Sequence, residues 1–356
     1  MVTYRQASEA DYPRINDFYN RIYAAQRTLA QFRWEFHDAP AGPSIYIIAE
    51  DGDKVVGSQC VIPITLIDAE GRHIRSGKSE DTLLDPAYRG QGIFNKLYEL
   101  LFQRCSEAGI QVIWGFTSAA KPFEKLGFEI PYAHLQNLAV HRILPAYRYL
   151  ITLNPQNTAL SKFKILGLSV LAKFRFAFAG GDARALAPYT LRTEPTPSGN
   201  EVLLMGQLQR QPGGFCILQD QAFQDWRVYQ NPNYHAVRTY GYYDAQGQLM
   251  ASIVFNTKPN QVAYLIQSLF HADLSAAVVA AMLRGATQAL FATGITLVRN
   301  WVFAHNAYQT AEVAAFEQAG YHTLARGIGL VWKPMDGYQL APQGFLLSRI
   351  ATQGTV

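Results

Sequence analysis

A chain of 356 residues, 49% hydrophobic and with a formal net charge of +4, has the apolar mass for one large core or two ordinary ones, which excludes a disordered chain. No run approaches the roughly 18 apolar residues of a membrane span, Met1 to Gln6 carries no signal-peptide core, and the mild charge lacks the dense basic face of a nucleic-acid binder. The three cysteines, Cys60, Cys105 and Cys216, are odd in number and widely spaced, so they fit neither a disulfide framework nor a zinc pattern and point to buried free thiols in a reducing cytoplasm.

In chain order, Thr3 to Arg5 reads as a first strand. Ser8 and Asp11 form a capping-box variant before Ile15, Phe18, Tyr19 and Ile22, which repeat at helical spacing. An aromatic stretch, Phe32 to Phe36, precedes a hairpin at Ile45 to Ser58 with an Asp-Gly turn. Ser79 to Asp85 reads as a strand carrying two adjacent acids, Glu80 and Asp81. Side chains alternate on a regular strand, so only one acid is expected to face a given side, Glu80 with Thr82 and Leu84, Asp81 with Leu83 and Asp85. The strand runs into Asp85-Pro86-Ala87-Tyr88-Arg89-Gly90-Gln91-Gly92-Ile93-Phe94-Asn95 and then a helical run to Ala108. Glycines in a strand-to-helix turn let successive N–H groups point at one spot, and the helix start adds its positive end. Phosphate is the natural guest. The pattern is neither a P-loop nor a dinucleotide fingerprint. An apolar strand at Gly109 to Phe116 follows, then a short helix at Ser118 to Lys125 ended by Leu126-Gly127-Phe128.

Arg89-x-x-Gly92 after Asp85-Pro86 resembles motif A of the GNAT acyltransferases, and Phe123-Glu124-Lys125-Leu126-Gly127-Phe128 resembles their motif B. The resemblance implies an acetyl-CoA (acyl-CoA) site on the main chain of Arg89, Gly90, Gln91, Gly92, Ile93, Phe94 and Asn95, with Leu83 and Leu84 offering main-chain groups to the pantetheine and the thioester carbonyl. It implies a splayed strand before the loop, Glu80 or Asp81 as general base with a lean to Glu80, and Ser118 as a pantetheine or adenine contact or a plain helix cap. Two residues depart from the family pattern. Phe94 stands where Gly or Ala is usual, and Phe123 stands where a tyrosine often protonates the leaving thiolate, which a phenyl ring cannot do. Tyr132 is the weak substitute.

The segment after the motifs is basic and apolar. No Asp or Glu occurs from Ile130 to Gly181. Within it, 161–176 reads either as a helix lying on an anionic membrane surface or as a helix packing across two domains with its lysines in water. Gly167 and the aromatic crowding favour the second. Beyond it the chain repeats itself. Phe32-Arg33-Trp34-Glu35-Phe36 returns as Asp225-Trp226-Arg227-Val228-Tyr229, the hairpin as Val237 to Ser252, the helix as Ser275 to Thr293, the strand as Ile295 to Arg299, and motif B as Phe316 to Tyr321. Trp34, repeated as Trp226, reads as a core or cleft-wall aromatic. His271 to Val278 stands where the glycine loop should be, with neither glycine nor arginine.

The expected fold class is α/β (α+β), two tandem GNAT domains, each a mixed, mostly antiparallel sheet flanked by helices. The expected boundaries are 1–143 for the N-terminal domain with the acyl-CoA site, 144–187 for a linker, 188–340 for a degenerate C-terminal copy and 341–356 for a tail. The expected function is acyl transfer from acyl-CoA to a small-molecule amine, an amino sugar of a surface polysaccharide or another small amine, with no metal and no nucleic acid, in the cytoplasm. The alternative is a non-catalytic acyl-CoA-binding sensor or assembly protein. A relative that transfers from aminoacyl-tRNA fits less well, because the anion loop is intact.

Overall fold

The structure, a computed structural model, describes residues 1–154, 156–180, 183–194 and 199–352. Parts of the 144–187 segment and residues 353–356 of the expected tail lie outside the described residues. In chain order the elements are β1 (Val2–Gln6), α1 (Tyr12–Tyr23), α2 (Leu29–Phe36), β2 (Ile45–Asp51), β3 (Lys54–Asp68), β4 (His73–Leu84), α3 (Ile93–Glu107), β5 (Val112–Thr117), α4 (Ala120–Glu124), β6 (Ala133–Val140), α5 (Ile143–Thr152), α6 (Ala159–Phe178), β7 (Thr190–Glu194), α7 (Asn200–Gln209), β8 (Phe215–Ile217), α8 (Gln221–Gln224), β9 (Ala236–Tyr243), β10 (Leu249–Thr257), β11 (Val262–Phe270), α9 (Ala276–Ala292), β12 (Leu297–Val302), α10 (Ala307–Gln318) and β13 (His322–Pro334).

Two compact units interleave along the sequence. The first takes Met1–Ala133, Phe215–Asn233 and Ile328–Pro342, and the second takes His134–Gly214, Tyr234–Gly327 and Gln343–Val356. Two stretches assigned to the C-terminal copy on sequence grounds therefore belong by contact to the first unit, and α5 and α6 belong to the second.

The sheet of the first unit runs β1-β2-β3-β4-β5-β13, with β8 on the far end of β3. All pairs are antiparallel except β4 with β5. Ile93, Leu97, Leu101 and Cys105 fall on one stripe of α3 and are buried, as their spacing of four requires, and with Tyr98 they pack on Val56, Val61 and Ile113 of the sheet and on Ile110 just before β5. At the entrance to α1 the Asp11 carboxylate accepts from the Ser8 N–H at 2.8 Å and the Arg5 guanidinium at 2.6 Å, which holds it well below the usual carboxylate range, the Arg5 bond being the chief cause.

The sheet of the second unit runs β7-β9-β10-β11-β12-β6, again antiparallel except for one pair, β11 with β12. The two orders correspond strand for strand, with one exchange. The strand that follows the first motif B, β6, pairs with β12, and the strand that follows its repeat, β13, pairs with β5. Each copy thus supplies the last strand of the other sheet. Helix α6 buries Ser169, Ala172 and Phe176 within the second unit. All three cysteines are buried free thiols.

Candidate functional site

The parallel ladder between β4 and β5 is short. It runs from Ser76–Val112 to Ser79–Gly115 and stops, although β4 continues to Leu84 and β5 to Thr117. The two strands therefore part beyond Ser79. Gly115 sits at the last paired position, where a Cβ would lie 2.8 Å from the Ser79 carbonyl oxygen. Only glycine allows the strands to close to that point.

Directly above the parting, β4 carries a bulge. Ser58 pairs with Leu83 and Cys60 with Glu80, so Asp81 and Thr82 together oppose Gln59 alone. Asp81 takes the left-handed backbone, φ 51°, unusual for a residue with a side chain. The extra residue corrects the expected alternation. Ser79 and Thr82 now share one face, where both hydroxyls meet the Tyr98 hydroxyl at 3.2 and 3.3 Å. Gln59 links them by donating to Ser79 Oγ and accepting from Thr82 Oγ1. Glu80 and Asp81 both fall on the α1–α2 side and both act electrostatically on Glu35 and Tyr23. Either acid can thus serve the same side of the sheet.

Their surroundings differ. Asp81 is caged: Arg27 donates to both carboxylate oxygens at 3.3 and 3.0 Å, and the buried Tyr46 hydroxyl donates at 2.6 Å. The Arg27 guanidinium also lies 3.6 Å from the centre of the Tyr19 ring. Glu80 pairs with the buried Lys78 and keeps some exposure. Beside them lies a group that the sequence reading passed over, Glu35 of α2. It is fully buried, and its Oε1 has no hydrogen-bond partner. Burial pushes its carboxyl up to about 7, with a further rise from Glu80 and an opposing pull from Lys78. Lys78 is lowered, chiefly by its own burial, while Glu80 holds it up. Cys60, under the same strands, is held as a thiol by burial and the nearby carboxylates and offers no nucleophile.

The wall behind Glu35 is built by the repeat. Trp34 Nε1 donates to the Trp226 carbonyl at 2.8 Å, and Trp226 Nε1 donates to the Trp34 carbonyl at 2.7 Å. The rings lie 5.7 Å apart, with the Arg227 guanidinium 5.8 and 5.7 Å from the two centres. The next position in each copy is Glu35 in one and Arg227 in the other. The repeated segments bind each other reciprocally and leave opposite charges at matching places.

The anion loop follows the bulge. Asp85 caps a short turn by accepting from the Ala87 N–H, and Lys54 at 2.9 Å and Arg21 at 3.7 Å bring positive charge to it. The Lys54 bond, more than any other contact, lowers the Asp85 carboxyl. Gly90 and Gly92 have φ of 78° and 74°, and a Cβ on either would meet open space. Among the described residues, the N–H groups of Gly90, Gln91, Gly92, Ile93, Phe94 and Asn95 have no protein acceptor, and the first bond of α3 runs from the Lys96 N–H to the Gly92 carbonyl. A row of unspent donors at a helix start, with Arg89, Lys54 and Arg21 nearby, fits a pyrophosphate.

The remaining expected residues take these places. Leu83 is buried and Leu84 packs on the α3 side. Phe94 and Phe123, the two departures from the family pattern, touch edge to face at 6.1 Å and share one aromatic cluster with Tyr98 and Phe128. Ser118 is exposed and does not cap α4, whose first residue is Ala120; the Thr117 hydroxyl accepts from the Ala119 N–H instead. Tyr132 donates to the Pro342 carbonyl at 3.1 Å, and burial raises its phenol well above the usual range, so it holds its proton more tightly than a free tyrosine. In the second unit β11 keeps the bulge, where Val254 pairs with Gln267 and Phe255 with Leu265. The glycine loop has no counterpart there, and Ser275 caps α9 with its hydroxyl.

Residues 3–131 match the model of the acetyltransferase (GNAT) domain. No curated protein matches the chain. Among solved structures it is similar to a probable N-acyltransferase from Enterococcus faecalis, with a TM-score of 0.63, 9% identity, and coverage of 94% of this chain and 73% of that one. It is similar to a tandem GNAT protein from the clavulanic acid biosynthesis pathway, with a TM-score of 0.56, 14% identity, and coverage of 95% and 100%. It is also similar to N-myristoyltransferase from Saccharomyces cerevisiae, solved with bound myristoyl-CoA, with a TM-score of 0.57, 11% identity, and coverage of 99% and 86%. Residues 3–131 thus match the GNAT acetyltransferase domain, and the chain as a whole shares its fold with a tandem GNAT protein.

Proposed function

We propose that the chain is an acyl-CoA-dependent N-acyltransferase in which a substrate amine attacks the thioester directly. The observation that carries this reading is the juxtaposition, within ten residues of chain either side of Asp85, of a bulged and parted β4 with a loop of unspent N–H donors. The acyl donor is acetyl-CoA or a related acyl-CoA, held by the Arg89 to Asn95 loop; when bound, it supplies an activated acyl carbonyl. The chain's own residues do the rest. Glu80, paired with Lys78, takes a proton from the incoming ammonium group. The β4 main chain around Leu83 and Leu84 is assigned to the developing oxyanion by resemblance to the family. Glu35, neutral below about pH 7, adds no second charge beside Glu80 until it ionises. Asp81 is locked by Arg27 and Tyr46 and positions the bulge.

The acceptor is a small-molecule amine, an amino sugar of a surface polysaccharide or another small amine, and the buried free thiols suit a cytoplasmic residence. A second reading, a non-catalytic acyl-CoA sensor or assembly partner, draws on Phe123, which cannot protonate a leaving thiolate. Release of free thiol from acetyl-CoA, followed across amino sugars and polyamines, separates the two. We expect release with at least one amine, reduced about 10²- to 10⁴-fold by Glu80→Gln with acetyl-CoA affinity kept. Tight acetyl-CoA binding with no release for any amine favours the sensor.

A further inference from the structure

Helix α6 presents two faces. One is seated on the second unit: Ser169, Ala172 and Phe176 are buried, and Ile165 and Leu168 pack against the cluster of Leu138, Val140, Leu150 and Tyr264. The other is a continuous apolar stripe turned away from that core. Leu160, Phe163, Gly167, Leu171, Phe174 and Phe178 follow one another at intervals of three or four residues, which keeps them on one line of a helix. The large side chains among them are exposed, Phe163 by 73% and Phe178 by 80%, and nothing lies within 4 Å of a Cβ built on Gly167. The Phe174 and Phe178 rings stack parallel at 5.8 Å. The helix that the glycine and aromatics obscured in sequence therefore has one face seated on protein and a second, apolar stripe turned outward, with the lysines between them. Such a patch on a water-soluble surface marks an interaction site.

Charge selects the occupant. No acid occurs from Ile130 to Gly180, while Lys162, Lys164 and Lys173 lie along the flanks of the stripe. Arg175 is engaged with Glu317 at 3.7 Å, which leaves the lysines as the available cations. A second copy seated here by a two-fold axis would set these lysines against their own images. An anionic bilayer surface takes the aromatics at the headgroup level, and the lysine stems reach up to the phosphates. With no helix long and apolar enough to cross a membrane among the described residues, this is contact in the plane of the surface.

We propose that α6 docks the chain on anionic lipid bilayers. The inference stands apart from acyl transfer and its test has no activity readout. The full chain is sedimented with vesicles of phosphatidylcholine carrying about 30 mol% phosphatidylserine, and with phosphatidylcholine vesicles alone. We expect binding to the first, little to the second, and loss on raising salt. Phe163→Ser with Phe174→Ser removes exposed groups and leaves the core untouched, so circular dichroism and melting stay unchanged while vesicle binding falls at least about tenfold. Lys162→Glu with Lys164→Glu, tested in parallel, produces the same loss without touching an aromatic. Absence of wild-type binding to the anionic vesicles overturns the proposal. So does a concentration-dependent dimer, seen by light scattering, that the serine variant abolishes while vesicle binding is unaffected.

Discussion

At the scale of single residues, the site depends on carboxyls held in contrasting surroundings a short distance apart. Asp81 is paired with Arg27 and Tyr46, whereas Glu35 is pushed up to about 7 by burial. The raised value fixes the direction of a stability effect. Below about pH 4.5 Glu35 is protonated in both the folded and unfolded chain and costs nothing. As pH rises toward 7, the unfolded chain loses the proton first, so the folded state loses ground, by about 3 kcal/mol for a shift of this size, and the loss levels off above the folded value. Glu312, half-buried beside Ser268 and also pushed up to about 7 by desolvation, contributes in the same direction. The difference between wild type and Glu35→Gln isolates the first. Urea unfolding from pH 4 to pH 8 is expected to show the variant gaining on wild type across this window. Parallel profiles contradict the assignment. Nothing in the local sequence marks Glu35 as titrating near neutrality, because the charged groups that act on it, Lys78, Glu80, Asp81 and Arg227, come from distant segments of the chain. The available hint was the repeat itself, which sets Glu35 opposite Arg227.

Elements explain why one half of the site was legible and the other was not. The anion loop is a local device: glycine spacing, a strand before it and a helix after it are all readable over a dozen residues. The bulge on β4 is not local. It is set by register against β3, where two residues face Gln59, and no glycine marks the left-handed position because Asp81 occupies it. Strict alternation therefore misassigned Thr82 and separated two acids that lie on one side. Gly92→Ala tests the loop as an element. Its φ of 74° makes the substitution cost about 1–2 kcal/mol in the folded chain, and the added methyl enters the open space over the N–H groups. Titration calorimetry is expected to show acetyl-CoA affinity reduced at least about tenfold with a modest drop in melting temperature. Unchanged affinity moves the cofactor away from this loop.

The whole molecule adds a constraint that strand patterns cannot carry, because a β-run looks the same whichever partner it finds. The repeat predicted two domains in succession, yet the first unit is completed by Phe215–Asn233 and Ile328–Pro342, and the second begins with β6. A fragment ending at residue 143 contains the glycine loop, the bulge and motif B. It lacks β13, which pairs with β5 from Gly329–Thr117 to Pro334–Val112, and it lacks Trp226, whose carbonyl and indole satisfy Trp34. The fragment thus exposes the edge of β5, the strand beside the parted β4, and leaves a buried indole and a buried carbonyl without partners. Expressed alone, 1–143 is expected to aggregate or to unfold without a cooperative transition, and to bind no acetyl-CoA. Co-expression with 144–356 restores both strands of the exchange, so a soluble two-fragment complex that binds acetyl-CoA is expected. If 1–143 alone melts cooperatively and binds acetyl-CoA as the full chain does, the exchanged strand is dispensable for the site. The interleaving would then be a matter of connectivity only, with no part in shaping the ground on which β4 and β5 separate.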